Sequence, residues 1–231
     1  MFSYLKINKL DFLIALYMLC ILTSELMGAK TFHIITLGSY TLNSSVSIFL
    51  FPLIFTINDI ISEVYGKERT KSIIRAGLIM IVFLVLYSVL ATLLPASNRF
   101  AGTEAAYDTI FGVSIRFSIA SLIAFISSEF LDVYVFHKMR EKFGSTKLWL
   151  RTNVSNFVSQ FVDTIVFMLL AFWALDKGFG ANATFIFSLL IPYWGLKCLM
   201  SVIETPIAYW GVKWLKKDET TEHHVSDGKL A

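Results

Sequence analysis

Between Trp149 and Trp173 the sequence WLRTNVSNFVSQFVDTIVFMLLAFW sets Arg151, Asn153, Asn156, Gln160 and Asp163 into a run otherwise apolar enough to cross a bilayer. At about 100° per residue, positions 153, 156, 160, 163 and 167 follow an i, i+3, i+4 rhythm, so the polar groups share one helix face. Lys197, Ser201 and Glu204 repeat the pattern at i, i+4 and i+7 farther along. Amides, carboxylates and an ammonium so arranged can hold a polar solute by hydrogen bonds and charge. In hydrocarbon they are costly unless they meet partners or water, so other helices must enclose them around a water-accessible chamber. Lys197 is available to Asp163 or Glu129. Glu63 reads as an interfacial partner of Lys67, Asp132 as an interfacial counter-ion, and Glu25 with Arg116 as a structural ion pair near the outer surface.

Bond-making chemistry has no comparable signature. Gly66-Lys67 is followed by Glu68, so no P-loop can grip a nucleotide, and neither G-x-S-x-G nor H-E-x-x-H occurs. Asp59 and Asp163 lack the motif an intramembrane aspartyl hydrolase would add. Cys20 and Cys198 have no paired spacing and read as small core residues. His223-His224 reads as a solvated pair. The sequence therefore implies no enzyme, no catalytic residue, no metal and no cofactor.

The elements that must position these groups follow from hydropathy. The chain is 56% hydrophobic and 16% charged, with a mean hydropathy of +0.66, too greasy for a water-wetted surface at 231 residues. Apolar windows at 11–29, 44–63, 71–94, 111–136, 149–175 and 184–212 each match a hydrocarbon core of about 30 Å. The fold class expected is all-α: a polytopic helical bundle with six transmembrane helices in one domain, residues 1–215, and a mobile tail over 216–231. The first window reads as a span rather than a cleaved signal, because it runs on through Glu25 to Lys30. Basic residues crowd the N-terminus (Lys6, Lys9), the second connection (Lys67, Arg69, Lys71, Arg75), the fourth (Lys138, Arg140, Lys142, Lys147, Arg151) and the C-terminus (Lys213, Lys216, Lys217, Lys229). The other connections carry only Lys30, Arg99 and Lys177. This alternation predicts both termini in the cytoplasm. Asp59, Glu129, Asp132 and Glu204 then fall in the cytoplasmic half, Glu25 and Arg116 in the outer half, and Gln160 and Lys197 near mid-membrane. Short apolar runs around Gly38-Ser39 predict an external hairpin within residues 31–43, a candidate lid.

Phe51 to Gly77, FPLIFTINDIISEVYGKERTKSIIRAG, resembles the F-P-x4-I-N-D-x3-E-V-Y-G signature region of the queuosine precursor transporters, also called the vitamin uptake transporter family. Leu148 to Phe167, LWLRTNVSNFVSQFVDTIVF, is similar to the family's W-x-R-x3-S-x3-S-Q-x2-D-[ST]-x2-F segment. Arg116 with Ser121, and Lys197 with Thr205-Pro206 and Tyr209, resemble further family positions. Asp132 departs from the pattern, which more often has asparagine there, and its role is in doubt. The similarity covers nearly all of residues 11–215.

The resemblance implies import of 7-deazaguanines such as preQ0, preQ1 or queuine into a bacterium across its inner membrane. It also implies a fold like the substrate-binding subunits of energy-coupling-factor transporters. Partners are then the small-molecule substrate and the lipid bilayer, with no nucleic acid; a homodimer is compatible. A 7-deazaguanine offers adjacent N1–H and N2–H2 donors, which suit a carboxylate, and O6 and N3 acceptors, which suit an amide or a cation. Asp163 or Glu129 is expected to accept that edge, Gln160, Asn156 and Asn58 to orient the ring, and Lys197 and Arg116 to balance the acids. Glu204 and Asp59 line the cytoplasmic exit. Two other functions fit the same residues: a binding subunit that needs a separate ATPase, and a proton-coupled exporter of cationic compounds.

Overall fold

Asn8 opens the first helix by accepting the Leu10 N–H on its side-chain oxygen at 2.8 Å, which satisfies an otherwise orphaned donor of the first turn. The computed structural model describes the backbone at residues 7–38, 40–143 and 148–227. Side chains are described there except at 37, 40, 67, 129, 132–133, 136–137, 140, 142–143, 148–153, 155–156, 198, 200–209 and 217–227. In order, α1 (Lys9–Met27) leads to β1 (Thr31–Leu37), β2 (Tyr40–Ser45) and a 3-10 turn (Val46–Phe49). Then come α2 (Phe51–Tyr65), α3 (Lys67–Leu93), α4 (Glu104–Phe143), α5 (Leu148–Phe172) and α6 (Phe179–Asp227). The molecule is mostly helical.

The expected hairpin is present. β1 and β2 pair antiparallel from Thr31↔Ser45 to Leu37↔Tyr40, with an irregularity between His33 and Ile35. Gly38 takes φ +63° at the tip, a left-handed conformation that suits a residue without Cβ. Ser44 and Ser45, expected inside the second span, belong instead to β2, because their backbone pairs with Phe32 and Thr31. Pro52 sits in the first turn of α2, where its missing N–H costs nothing. Gly66, at φ +83°, separates α2 from α3 while its N–H still bonds the Ser62 carbonyl at 3.0 Å. The backbone of α6 stays helical to Asp227, beyond the apolar period that ends near 215. Extending an existing helix costs far less than nucleating one, so the polar residues after Lys217 add turns to a helix already formed.

Two compact units share the chain. One takes residues Met1–Ser24, Ser47–Met80 and Cys198–Ala231; the other takes Glu25–Val46 and Ile81–Lys197. The core of the first gathers Leu13, Tyr17 and Cys20 of α1, Ile54, Ile57, Ile60 and Ile61 of α2, Ile73 of α3, and Val212 and Leu215 of α6. A Cβ on Gly211 would collide with Ile60, so this glycine lets α6 approach α2 closely. In the second unit α4 packs along α5, with Phe117, Ala120 and Ala171 buried and the Phe117 ring edge-on to Phe167 and Phe172. The side chain of Asn182 closes the α5–α6 connection. It accepts the Ala174 N–H at 2.9 Å and donates to the Ala174 and Lys177 carbonyls at 2.8 and 3.0 Å.

Among the described residues, five helices are long and apolar enough to cross a membrane: Lys9–Met27, Val46–Tyr65, Glu68–Leu93, Glu104–Ser128 and Phe179–Lys197. The apolar part of α5 described in full is shorter, Phe157–Phe172. On α3 the side chains of Ile79, Phe83, Leu86, Leu90 and Leu93 are more than half exposed. A contiguous apolar face of that kind would aggregate in water, whereas acyl chains accept it.

Candidate functional site

In the second unit, α5 and α6 bring together the acid and the base that share no sequence neighbourhood. Lys197 Nζ donates to Asp163 Oδ2 at 2.9 Å and to Thr164 Oγ1 at 3.0 Å. The Thr164 hydroxyl in turn donates to the Gln160 carbonyl at 2.8 Å, so one oxygen links α5 backbone to α6 ammonium. The side chains of Lys197 and Asp163 are 11% and 30% exposed, which puts the pair in a medium where its attraction is strong and its breakage costly. Lys197 engages only one carboxylate oxygen. Among the described residues Oδ1 of Asp163 has no hydrogen-bond donor. One turn from Lys197, Trp194 stands edge-on to Phe157 and Phe161, with ring centroids at 5.0 and 5.8 Å. The Gln160 side chain, next on the polar face of α5, is exposed.

Arg116 of α4 is turned to a different acceptor. Its Nε donates to the Leu170 carbonyl at 2.8 Å and its Nη2 to the Trp173 carbonyl at 2.5 Å. Those carbonyls end α5, where a cation also meets the negative end of the helix dipole. Leu170 lies seven residues beyond Asp163, about 10 Å along the axis at the usual rise. The ion pair expected between Arg116 and Glu25 does not form among the described residues. Hydroxyls outcompete it: Glu25, only 6% exposed, hydrogen-bonds Ser118 and Ser121 of α4.

In the first unit, Asn58 hydrogen-bonds the Tyr17 side chain, and its Oδ1 is buried with no partner among the described residues. The bond to Tyr17 therefore runs through Nδ2 as donor, which fixes the amide and leaves an acceptor waiting for an N–H. Native structures rarely leave such an atom unsatisfied without a reason. Asp59 and Glu63, on the same helix, are exposed. The side chains of Glu129, Asp132, Asn156 and Glu204, and those of His223 and His224, lie outside the described residues.

Sequence reasoning missed Thr164 as the third member of the Lys197 contact, although it follows Asp163 directly. It also missed Tyr17, whose phenol sits in an apolar stretch with no polar neighbour to mark it. The serines that meet Glu25 did leave a trace, since Ser114, Ser118 and Ser121 recur at i, i+4 and i+7 on α4.

A family model described as "Putative vitamin uptake transporter" matches residues 45–211. The chain is similar to a "Probable queuosine precursor transporter" of Bacillus subtilis (strain 168), 34% identical over 187 residues, covering 80% of this chain and 78% of that protein. It is 29% identical over 168 residues to the "Queuosine precursor transporter" of Escherichia coli (strain K12), covering 68% of this chain and 73% of the other. A "Probable queuosine precursor transporter" of Haemophilus influenzae (strain ATCC 51907 / DSM 11121 / KW20 / Rd) is 29% identical over 146 residues, covering 63% and 59%. No solved structure matches the chain.

Proposed function

This chain belongs to the vitamin uptake transporter family, a family of transporters and not of enzymes, and on that premise we propose that it imports queuosine precursors. The substrates are 7-deazaguanines such as preQ0, preQ1 or queuine, carried by alternating access through a central polar chamber. The protein is a multi-pass membrane protein. In this reading α5 is the sixth span, the fold is akin to the binding subunits of energy-coupling-factor transporters, and the membrane is the bacterial inner membrane with both termini cytoplasmic.

The observation that carries the proposal is the Asp163–Lys197 pair with a carboxylate oxygen to spare. Lys197 donates to one oxygen of Asp163, and a carboxylate is the acceptor that adjacent N1–H and N2–H2 donors require. In the other compact unit, Asn58 Oδ1 is likewise an acceptor without a donor among the described residues. A site whose polar groups are satisfied only by the right base rejects others by large factors, because a wrong base leaves them unpaired. Gln160 and Asn156 orient the ring, Glu129 is the alternative acid, Arg116 adds positive charge in the outer half, and Asp59 and Glu204 line the exit.

The test supplies preQ0, preQ1 and queuine separately to cells unable to make queuosine precursors or to import them. The expected result is tRNA modification restored by the wild-type chain. Asp163→Asn, Gln160→Ala and Asn58→Leu should each cut uptake at least tenfold at normal expression. Full uptake by Asp163→Asn and Gln160→Ala together would show that the site is elsewhere. Absence of rescue by wild type with all three compounds would overturn the substrate class.

A further inference from the structure

One buried acid has no part in the site above. Glu25 lies in α1, 6% exposed, and its carboxyl hydrogen-bonds Ser118 and Ser121 of α4. The α1 backbone beside it is held by hydroxyls as well: Ser114 Oγ donates to the Leu26 carbonyl at 2.9 Å and Ser47 Oγ to the Ser24 carbonyl at 3.1 Å. No cation reaches it among the described residues. On the neighbouring elements, Arg116 of α4 is spent on the Leu170 and Trp173 carbonyls, and Tyr193 of α6 bonds Ser44 and Ser45. Lys30, beyond the end of α1, is exposed, and the Lys197 ammonium is engaged by Asp163 and Thr164.

The choice of partner decides what a buried acid can do. An ammonium in contact favours the charged form of a carboxylate. A serine hydroxyl rotates: it donates to a carboxylate and accepts from a carboxylic acid, so Ser118 and Ser121 satisfy Glu25 in either protonation state. Buried ionisable side chains in membrane helices recur as proton relays for this reason. The chain also passes from one compact unit to the other between Ser24 and Glu25, so the residue sits where α1 changes its packing partners.

We propose that Glu25 is a proton-binding site that couples transport to proton entry. The step is a reversible protonation: an O–H bond forms on a Glu25 carboxylate oxygen when the group opens to the acidic side. The same bond breaks on the other side, where water takes the proton. No electron changes hands, and the driving force is the proton gradient. The coupling rests on the importer reading; the proton site itself does not.

Two measurements on the purified full chain test it. In proteoliposomes loaded for queuine uptake, wild type should accumulate several-fold more substrate when the entry side is acidified, and a protonophore should abolish the gain. Glu25→Gln should lose that stimulation while still exchanging labelled for unlabelled queuine. Gradient stimulation surviving in Glu25→Gln, or wild-type uptake indifferent to the gradient, would overturn the proposal. Where Glu25→Gln fails to fold, Ser118→Ala/Ser121→Ala takes its place and should displace the pH profile of uptake; an unchanged profile counts against coupling. The second measurement uses no substrate. A pH titration followed by infrared difference spectroscopy should show a protonated-carboxyl band that Ser118→Ala/Ser121→Ala shifts and Glu25→Gln removes. A titration without that band sinks the proton site, whereas the band together with no uptake of any precursor by wild type sinks only the importer reading.

Discussion

Lys197 has three protons to donate and the structure uses two of them, on Asp163 and on Thr164. Removing either partner of a largely buried ion pair strands the other charge, at a cost of about 3–5 kcal/mol in favourable cases. With the Asp163 side chain 30% exposed, the value here belongs at the lower end of that range. Asp163→Leu and Lys197→Met should therefore each lower the melting temperature in detergent, and the double variant should recover most of the loss. Uptake should stay below about a tenth of wild type in all three, because the recovered packing carries no acceptor for a base edge. A double variant that regained transport would reduce the pair to a structural tie. The logic reverses at Asn58. Its Oδ1 is buried without a donor among the described residues, so Asn58→Leu removes an unmet group but also the bond to Tyr17, and should cost less stability than breaking the ion pair while uptake falls at least tenfold.

At the scale of the element, connections matter as much as helices. Asn182 makes three hydrogen bonds to the backbone between Ala174 and Lys177, and it is 3% exposed. Asn182→Ala should cost roughly 1–3 kcal/mol, since buried N–H and C=O groups are left unpaired. Asn182→Asp should retain only the bond from the Ala174 N–H, and a thermal-shift series would rank wild type above Asp above Ala. The helices themselves were legible in the sequence, because apolar windows report which stretches avoid water, and Gly38 marked the hairpin tip. Their full lengths were not. α4 begins at Glu104 and α6 runs to Asp227, and hydropathy has no view of turns that protrude beyond the hydrocarbon. The Lys197–Asp163 contact was legible from depth and charge. Arg116 shows the limit of that reasoning: depth identifies a cation that needs acceptors, but carboxylates and the carbonyls ending α5 satisfy it equally. Asn182 and Tyr17 were illegible for a related reason. Each pairs with a group distant in sequence or with backbone, and neither leaves a period.

For the whole molecule, charge sets which way the chain threads the bilayer. The start of α3 carries Arg69, Lys71 and Arg75, the end of α4 and the connection to α5 carry Lys142 and Lys147, and the last apolar part of α6 is followed by Lys213, Lys216 and Lys217. The connection holding the hairpin has Lys30, and those before α4 and α6 have Arg99 and Lys177. Translocating a basic segment against the membrane potential costs about 2.3 kcal/mol per charge per 100 mV, so the orientation we propose keeps the crowded connections on the cytoplasmic side. Alternation is self-consistent only with an even number of spans between the termini. That requires α5 to cross despite its polar face, which in turn requires that face to be enclosed. Orientation and chamber are thus one hypothesis tested twice. In a background with Cys20 and Cys198 replaced, Thr36→Cys on the exposed hairpin should react with an impermeant maleimide in intact cells. Lys216→Cys should react only after permeabilisation. Labelling of Lys216→Cys in intact cells would mean an odd number of crossings, and α5 would then lie outside the membrane with its amides and Asp163 facing water.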